Sequence, residues 1–377
     1  MKKIISMLLA VTVMFSMMAF GSSQAFADEK EIRIGVLVSD VSGEEALGFR
    51  SYYENYIAEN YNVTFTYTDQ LEDAASEKAA IEKFAAQGYD AILSLSSSDR
   101  ATQIETCAEY GIYYAVVSGM LDDDQFEQYK SESYFVGQIG PSMDTEYEAG
   151  LAMGQYFAEQ GISTAGIYGA FIPNPMHVYR TAGVLAGLGC TYGGASDKDG
   201  IAGQIFADQG VDTSKIECGD IEVIGYFQGF GDTTFDELNA IISQNPDAFI
   251  SVGMATTFFA DALNSANIPY SDIDSFTTGN AANMSDGTLV YLAGKYSSSI
   301  GPIFAAVVDT VQGNPVRDAD GNALSISQSY LVATDSETFD SILTGDNGDS
   351  PIYSKDVLDT VIGEVTYDDF VTLVESN

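Results

Sequence analysis

Short β-branched runs alternate with helical periods from residue 32 to residue 280, and the connections between them are brief. No other feature constrains the fold as much, because parallel strands need a crossover between them and the helices that supply it cover the sheet. Residues 32–38 (IRIGVLV) read as a strand buried on both faces, ending at Ser39-Asp40. Helical spacing follows over 43–60, with Ala46, Leu47, Phe49, Tyr53, Tyr56 and Ile57 on one face. Residues 63–67 alternate as a strand, 74–87 form a helix stopped at Gly88, and 90–95 form a third strand. A helix over 100–110 and a strand over 112–117 complete an order that predicts a parallel, doubly wound sheet.

A second cycle begins after a strand at 134–139 and a break at Gly140-Pro141. Helix 143–160, strand 164–168, a helix over about 176–188, strand 221–227, helix 233–244, strand 248–252 and helix 255–266 follow, and residues 276–280 close the series. Two successive α/β units of similar length predict two lobes with a cleft between them. A further helix is expected over 297–313, and two apolar tail segments near 355–363 and 367–374 are expected to dock as helices. The stretch 314–322 looks like a calcium loop. Counted from Asp318, however, its Gly321 stands fourth rather than sixth, and no Glu follows at the required distance. Asp320-Gly321-Asn322 is therefore read as a hairpin tip.

The amino terminus has the pattern of an export signal. Lys2 and Lys3 precede an apolar stretch over 4–20, and Ala25-Phe26-Ala27 offers a small-x-small cleavage site before Asp28. Removing residues 1–27 takes away two lysines and no acid, leaving 13 basic against 55 acidic residues and a formal charge of about −42. Such a chain repels phosphate backbones and anionic lipid, so nucleic acid is excluded as a partner. After residue 27 no apolar run is long enough to span a bilayer. Met18-Ala19-Phe20-Gly21 stands where an exported lipoprotein carries its acylated cysteine, so a non-lipidated product at the periplasm or outer cell face is expected. Cys190 and Cys218 flank a Gly/Asp-rich loop and could pair, whereas Cys107 lies in a helical pattern and reads as a buried apolar residue.

Most catalytic chemistry lacks its residues. The single histidine, His177, stands near no G-x-S-x-G; no phosphate-binding or dinucleotide-binding glycine motif occurs; and histidine-pair zinc sites are impossible. No enzyme activity, cofactor or metal is expected. The chemistry that remains lies at the strand ends: Ser39-Asp40-Val41-Ser42, Ser97-Ser98-Asp99, Ser118-Gly119, Gly169-Ala170-Phe171, Gly253-Met254 and Gly279-Asn280. In open α/β sheets ligands sit there. Small polar, acidic and aromatic residues suit a hydroxyl-rich solute, although the same types are ordinary turn formers. His177 and Arg180 are three residues apart, hence on one face of a helix start. Arg180 either clamps a ligand with its fork of donors or forms a surface ion pair.

The chain resembles the type I periplasmic binding proteins, the substrate-binding components of ABC importers, in their ribose/galactose-binding group. The resemblance rests on IRIGVLVSD, DAASEKAAIEKFAAQGYDAILSLSSSD and GIYYAVVSG in the first half. In the second half it rests on YRTAGVLAGL, QNPDAFISVG and IGPIFAAVVDTVQGNP. It implies an α/β fold of two doubly wound Rossmann-like lobes, joined by three crossings near Gly140, Tyr296 and Gln328. The first lobe would comprise 28–140 plus 297–328, and the second lobe and tail 141–296 plus 329–377. It also implies a monomer that closes on a small-molecule ligand, most often a sugar, and delivers it to an ABC permease. Arg180 matches the family's ligand-contacting arginine. Asp40 lies in the first-strand loop, and Lys295 and Tyr296 fall at a crossing where the family places a polar contact. The candidate ligand-binding set is thus Asp40, Ser42, Ser98, Ser118, Phe171, His177, Arg180, Met254, Asn280, Lys295 and Tyr296. Arg180→Ala would be expected to lose affinity with little change in stability. Where family sugar binders often carry Asp and Asn-Asp, this chain has Ser118-Gly119 and Gly253-Met254, and it has no tryptophan. Nucleoside-binding and autoinducer-binding relatives, a partner that presents ligand to a sensor, and a secreted enzyme are the alternatives.

Overall fold

The alternation of strands and helices becomes two six-stranded sheets in the computed structural model, which describes residues 30–376 except 96, 97, 286 and 347. The export-signal reading of residues 1–27 and the strand-end Ser97 lie outside the described residues. The first sheet begins with β1 (Ile32–Leu37), α1 (Glu44–Ser51), β2 (Val63–Tyr67), α2 (Ala74–Ala86) and β3 (Ala91–Ser94). α3 (Arg100–Tyr110), β4 (Tyr113–Val117), α4 (Asp123–Tyr129) and β5 (Phe135–Gly140) follow. β1 lies inside the sheet, one strand from its β2 edge, with Ile34 registered against Phe65 on one side and Ala91 on the other, and five of its six residues are buried. Acidic residues start several helices: Asp73 caps α2 in a reciprocal pair with Ser76, and Asp99 caps α3 through Thr102.

The second half runs α5 (Met143–Glu159), β6 (Thr164–Tyr168), α6 (Pro175–Gly187), β7 (Thr191–Tyr192), α7 (Lys198–Asp208), β8 (Ile216–Glu217) and β9 (Glu222–Phe227). It continues through α8 (Thr234–Ile242), β10 (Ala248–Ser251), α9 (Ala255–Phe258), α10 (Ala260–Ala266), β11 (Tyr270–Ile273), α11 (Thr278–Ser285) and β12 (Leu289–Gly294). The chain ends with α12 (Gly301–Val311), β13 (Leu324–Ser327), β14 (Leu331–Ala333), α13 (Ser336–Gly345), α14 (Lys355–Leu358) and α15 (Tyr367–Glu375). The sheet orders are β13-β5-β4-β3-β1-β2 and β14-β12-β11-β10-β6-β9. Every pairing within them is parallel except β14 against β12. No helix of the described residues is long and apolar enough to cross a membrane.

The structure departs from the sequence reading in three places. Residues 276–280 do not close a strand series; they lead into α11, and the strand lies earlier, at β11. Ser271 and Asp272 break the apolar run that marks the other strands, yet both are fully buried. Residues 318–322 are not a hairpin tip, because α12 rather than a strand precedes them. The Asp318 carboxylate instead accepts from the Asp320 and Asn322 amides and from Asn322 Nδ2, closing a polar loop. Finally, the tail does not stay with the second lobe. Phe339 of α13 belongs to the second core, but Tyr353, Leu358, Val361, Phe370 and Leu373 belong to the first. Tyrosines beyond α1, in a wide helical turn over Tyr52–Ile57, receive this returning segment. Tyr52 donates to the Tyr353 carbonyl and Tyr56 accepts from the Lys355 amide.

The chain thus passes between the sheets at 141–142, 295–296 and 328–330, and a fourth time beyond α13, before Tyr353. The first and third passages are joined where the Gln328 amide donates to the Gly140 carbonyl, 2.9 Å. Gln328 Nε2 donates to the Ser299 carbonyl just beyond the second. Asp346 accepts from the Ser298 and Ile352 amides, each 3.0 Å, pinning the fourth. A disulfide, Cys190–Cys218, closes the excursion that carries α7, and Cys107 is buried and unpaired.

Contact between α5 and α6 is closest where glycines face each other. A methyl group at Gly150 would overlap the Arg180 carbonyl, and one at Gly183 would overlap the Tyr147 carbonyl. Gly203, exposed within α7, has open space around it. Gly183→Ala should therefore cost about 1–3 kcal/mol in urea denaturation. By the same measurement Gly203→Ala should stabilise by about 0.5–1 kcal/mol through helix propensity.

Candidate functional site

A cavity of about 1210 Å³ lies at the carboxyl ends of the strands of both sheets. Residues following β1, β3 and β4 border it from one side, and residues following β6, β10 and β11 from the other. Asp40, Ser42, Ser98, Ser118, Phe171, His177, Arg180, Met254 and Lys295 all line it, whereas Asn280 and Tyr296 do not. Asn280 is buried and its amide donates to the Ser275 carbonyl, bracing the entry to α11. Tyr296 lies in the first core with its ring 6.0 Å from that of Tyr353. Both positions follow from misjudged elements. α11 begins where the strand series was expected to close, and the returning tail covers the second passage.

Arg180 is not on the surface, and three of its five N–H donors are engaged within the chain. Its Nε donates to Glu146 Oε2 at 2.6 Å, Nη1 to the Val252 carbonyl at 2.9 Å and Nη2 to the Tyr330 hydroxyl at 2.6 Å. Both charged side chains are almost fully buried. Burial opposes the charged guanidinium, but Glu146 and Tyr330 more than offset this and hold its pKa above the ordinary value. Tyr330 also lies 3.1 Å from each Glu146 oxygen, so a residue of the third passage closes the triad. α5 supplies Glu146 and α6 supplies Arg180, and the glycine contact between those helices brings the two within reach.

His177 borders the same wall. Its Nδ1 accepts from the Phe171 amide at 3.2 Å, which puts the ring proton on Nε2. A methyl group at Gly253 would stand 3.4 Å from Arg180 Nη1 and 3.5 Å from His177 Nε2, so the absence of a side chain there keeps both donors against the cavity. Burial, and then the charge of Arg180, lower the His177 pKa from 6.5 to about 3.

Three strand ends facing the cavity carry left-handed backbone at residues with side chains: Ser118 at φ 62°, Ala170 at 48° and Met254 at 71°. Such conformations persist only where the surroundings impose them. Lys295, on the second passage, donates to Ser118 Oγ at 2.5 Å and lies 3.7 Å from Glu45, joining second-lobe chain to the loop after β4 and the first turn of α1. Behind Met254, Ser251 Oγ accepts from the Gly253 amide, at 3.1 Å, and lies 2.8 Å from Asp272 Oδ1 and 3.1 Å from the Gly253 carbonyl. One hydroxyl proton cannot serve both acceptors, and a proton on Asp272 would complete the set. Burial, with the neighbouring charge of Asp274, raises the Asp272 pKa and so favours that proton. Thr256 bonds both carboxyl groups, and Asp274 itself borders the cavity.

Glu146, Asp274, Tyr330 and Phe258 line the cavity without having been singled out from the sequence. Glu146 sits on the first turn of a helix among 55 acids, so only its spacing opposite Arg180 could have marked it. Asp272-x-Asp274 within a run of strand spacing was the missed signal for the buried pair. Among the described residues no group of three or more His, Cys, Asp or Glu side chains forms a metal cluster.

This is the fold of the type I periplasmic binding proteins: two parallel Rossmann-like sheets, with a cleft at their strand ends and the chain passing repeatedly between them. Solved structures of ABC transporter solute-binding proteins match it. One from Bacillus halodurans C-125 with bound myo-inositol superposes with TM-score 0.59 at 16% identity, covering 84% of this chain and 99% of that one. The arabinose transporter component from Shewanella sp. ANA-3, bound to L-arabinofuranose, gives TM-score 0.57 at 17% identity, covering 83% and 94%. The fructose-binding periplasmic domain of a hybrid two-component system gives TM-score 0.54 at 15% identity, covering 83% and 94%. By sequence, no protein family and no curated protein matches.

Two predictions follow the buried charges. Contrary to the expectation from sequence, Arg180→Ala should lose about 3–5 kcal/mol of stability, because it strands Glu146 without its partner. The double variant Glu146→Gln, Arg180→Met should lose less than the two single changes together in urea denaturation. His177 stays neutral in the folded chain down to about pH 3, while an unfolded histidine is protonated below about 6.5. Its contribution to stability is therefore lost as pH falls from about 6.5 toward 3, by up to ~1.4 kcal/mol per pH unit. His177→Asn keeps an acceptor for the Phe171 amide and should remove that part of the slope, read from urea denaturation at successive pH values.

Proposed function

We propose that this protein is an exported solute-binding protein that captures a small hydroxyl-rich ligand, a carbohydrate, and hands it to an ABC permease. The observation that carries this reading is the position of the cavity. It lies at the strand ends of both sheets, and three of the passages between them supply its lining through Pro141, Lys295 and Tyr330. A ligand touching both lobes and those passages would favour the arrangement that brings the lobes together, which is hinge closure without bond chemistry. The lining suits sugar hydroxyls. Asp40, Ser42, Ser98, Asp99 and Asp274 offer acceptors and hydroxyls, His177 and Lys295 offer donors, and Phe171 and Phe258 offer ring faces. Binding of inositol and arabinofuranose by proteins of the same fold supports the ligand class. The Cys190–Cys218 disulfide supports export, since such bonds persist in oxidising compartments. Monomeric action and release from the signal after Ala27 belong to the same reading.

The fructose-binding domain of a two-component system supports a second reading, presentation of the ligand to a sensor. Adding the liganded protein to vesicles that hold the permease and its ATPase separates the two. Stimulated ATP hydrolysis supports import, and silence there favours sensing.

The ligand class is tested by melting temperature against monosaccharides, nucleosides and amino acids. A ligand at 100 times its dissociation constant adds about 2.7 kcal/mol, enough for a shift of several degrees. A shift with sugars is the expected result. A shift confined to nucleosides or amino acids overturns the carbohydrate assignment, and none anywhere in the panel overturns small-solute capture.

A further inference from the structure

The cavity does not end at its own wall. Phe258 lines it, and the Phe230 ring lies 4.3 Å from the Phe258 ring, centroid to centroid, tilted by 33°. Phe235 meets Phe230 edge-on at 6.0 Å. Phe230 and Phe235 are 49% and 48% exposed, among the most exposed large apolar side chains described. Exposed apolar side chains held together mark a binding surface more often than isolated ones do.

The loop holding Phe230 is fixed. The Gly229 amide donates to the Ala170 carbonyl, Tyr168 Oη donates to the Gly229 carbonyl at 3.1 Å, and the Gly231 amide donates to Thr234 Oγ1 at 2.8 Å. The first two of these tie it to Tyr168 at the end of β6 and to Ala170 just beyond, next to Phe171 of the cavity lining. Phe230 is therefore an outward continuation of the cavity wall. The cavity, at about 1210 Å³, is also larger than the roughly 300–1,000 Å³ of sites that enclose a drug-sized ligand.

We propose that Phe230, backed by Phe258 and Phe235, is a second sugar subsite, and that the ligand is a short glycan of two or more rings. This rests on the carbohydrate reading above. The first ring occupies the cavity, and the next lays its C–H face on the negative face of the Phe230 ring. Thr257, exposed on the cavity rim beside Phe258, offers a hydroxyl to the linkage. A docked protein is the competing occupant. Two half-exposed rings are, however, a small part of the roughly 800 Å² each partner buries in a standard interface, whereas they match the face of one sugar ring.

The test is calorimetric titration of the purified protein and of Phe230→Ala and Phe230→Tyr. The probes are D-glucose, D-galactose and L-arabinose, each with its di- and trisaccharide. In one series the disaccharide should bind about tenfold more tightly than the monosaccharide, the size of one aromatic stacking contact. Phe230→Ala should remove that gain, leave monosaccharide affinity unchanged, and be rescued by Phe230→Tyr. If monosaccharides bind but length adds nothing, or the gain survives Phe230→Ala, the subsite is overturned and the carbohydrate reading stands. Binding of no sugar overturns both. If Phe230→Ala leaves every glycan alone but weakens binding to permease-bearing vesicles, the surface belongs to a protein partner and the subsite is overturned.

Discussion

The buried pair of Arg180 and Glu146 holds together the helix contact, the strand ends and the passage between lobes. Isolated, either charge would be intolerable at that depth. Together, with Tyr330 and the Val252 carbonyl completing the set, they are satisfied. Each partner reaches the pair from a different element: Glu146 from α5, Arg180 from α6, the carbonyl from the end of β10 and the phenol from the third passage. Buried pairs are weak sources of net stability but strict about geometry, since removing one member leaves the other uncompensated. The facing glycines are the structural condition for the pair, because a side chain at Gly150 or Gly183 would push the helices apart.

Around the pair, the second lobe spends backbone and polar groups to shape the cavity. Met254 is held in left-handed backbone directly after Gly253, whose amide and carbonyl are both engaged by Ser251. Ser251 answers to Asp272, which shares Thr256 with Asp274 at the cavity edge. The first lobe combines two devices. Asp40 Oδ1 accepts from the Ser42 and Gly43 amides and folds the β1 loop back on itself. Behind Ser98, the buried Glu77 accepts from the Ser98 amide and from Gln103, whose Oε1 accepts from Ser94 and Tyr114. Both walls thus rest on a buried polar network.

Much of the fold was legible because parallel, doubly buried strands give continuous apolar runs, and helices between them give a 3.6-residue period. β1, β3, β4, β6 and β10 all announce themselves in this way. β11 did not, because Ser271 and Asp272 break its apolar run, and only a carboxyl group satisfied by partners distant in sequence makes them tolerable in a strand. The polar strand ends gathered at one cavity for the same topological reason that ligands bind there. Asn280 and Tyr296 were misplaced because their positions depend on α11 and on the returning tail. Local pattern says nothing about a partner some 57 residues away, such as Tyr353 for Tyr296.

That returning tail sets an order of assembly. Emerging from its amino end, the chain holds every strand of the second sheet once β14 is made. The first sheet also has its last strand, β13, by then, yet its core still lacks Tyr353, Leu358, Phe370 and Leu373. The lobe that begins first in sequence is therefore the last to be covered. Until the final two dozen residues arrive, the tyrosine-lined face beyond α1 and one side of α12 stay open to solvent, and the first half of the protein remains unfinished while the second already has its sheet.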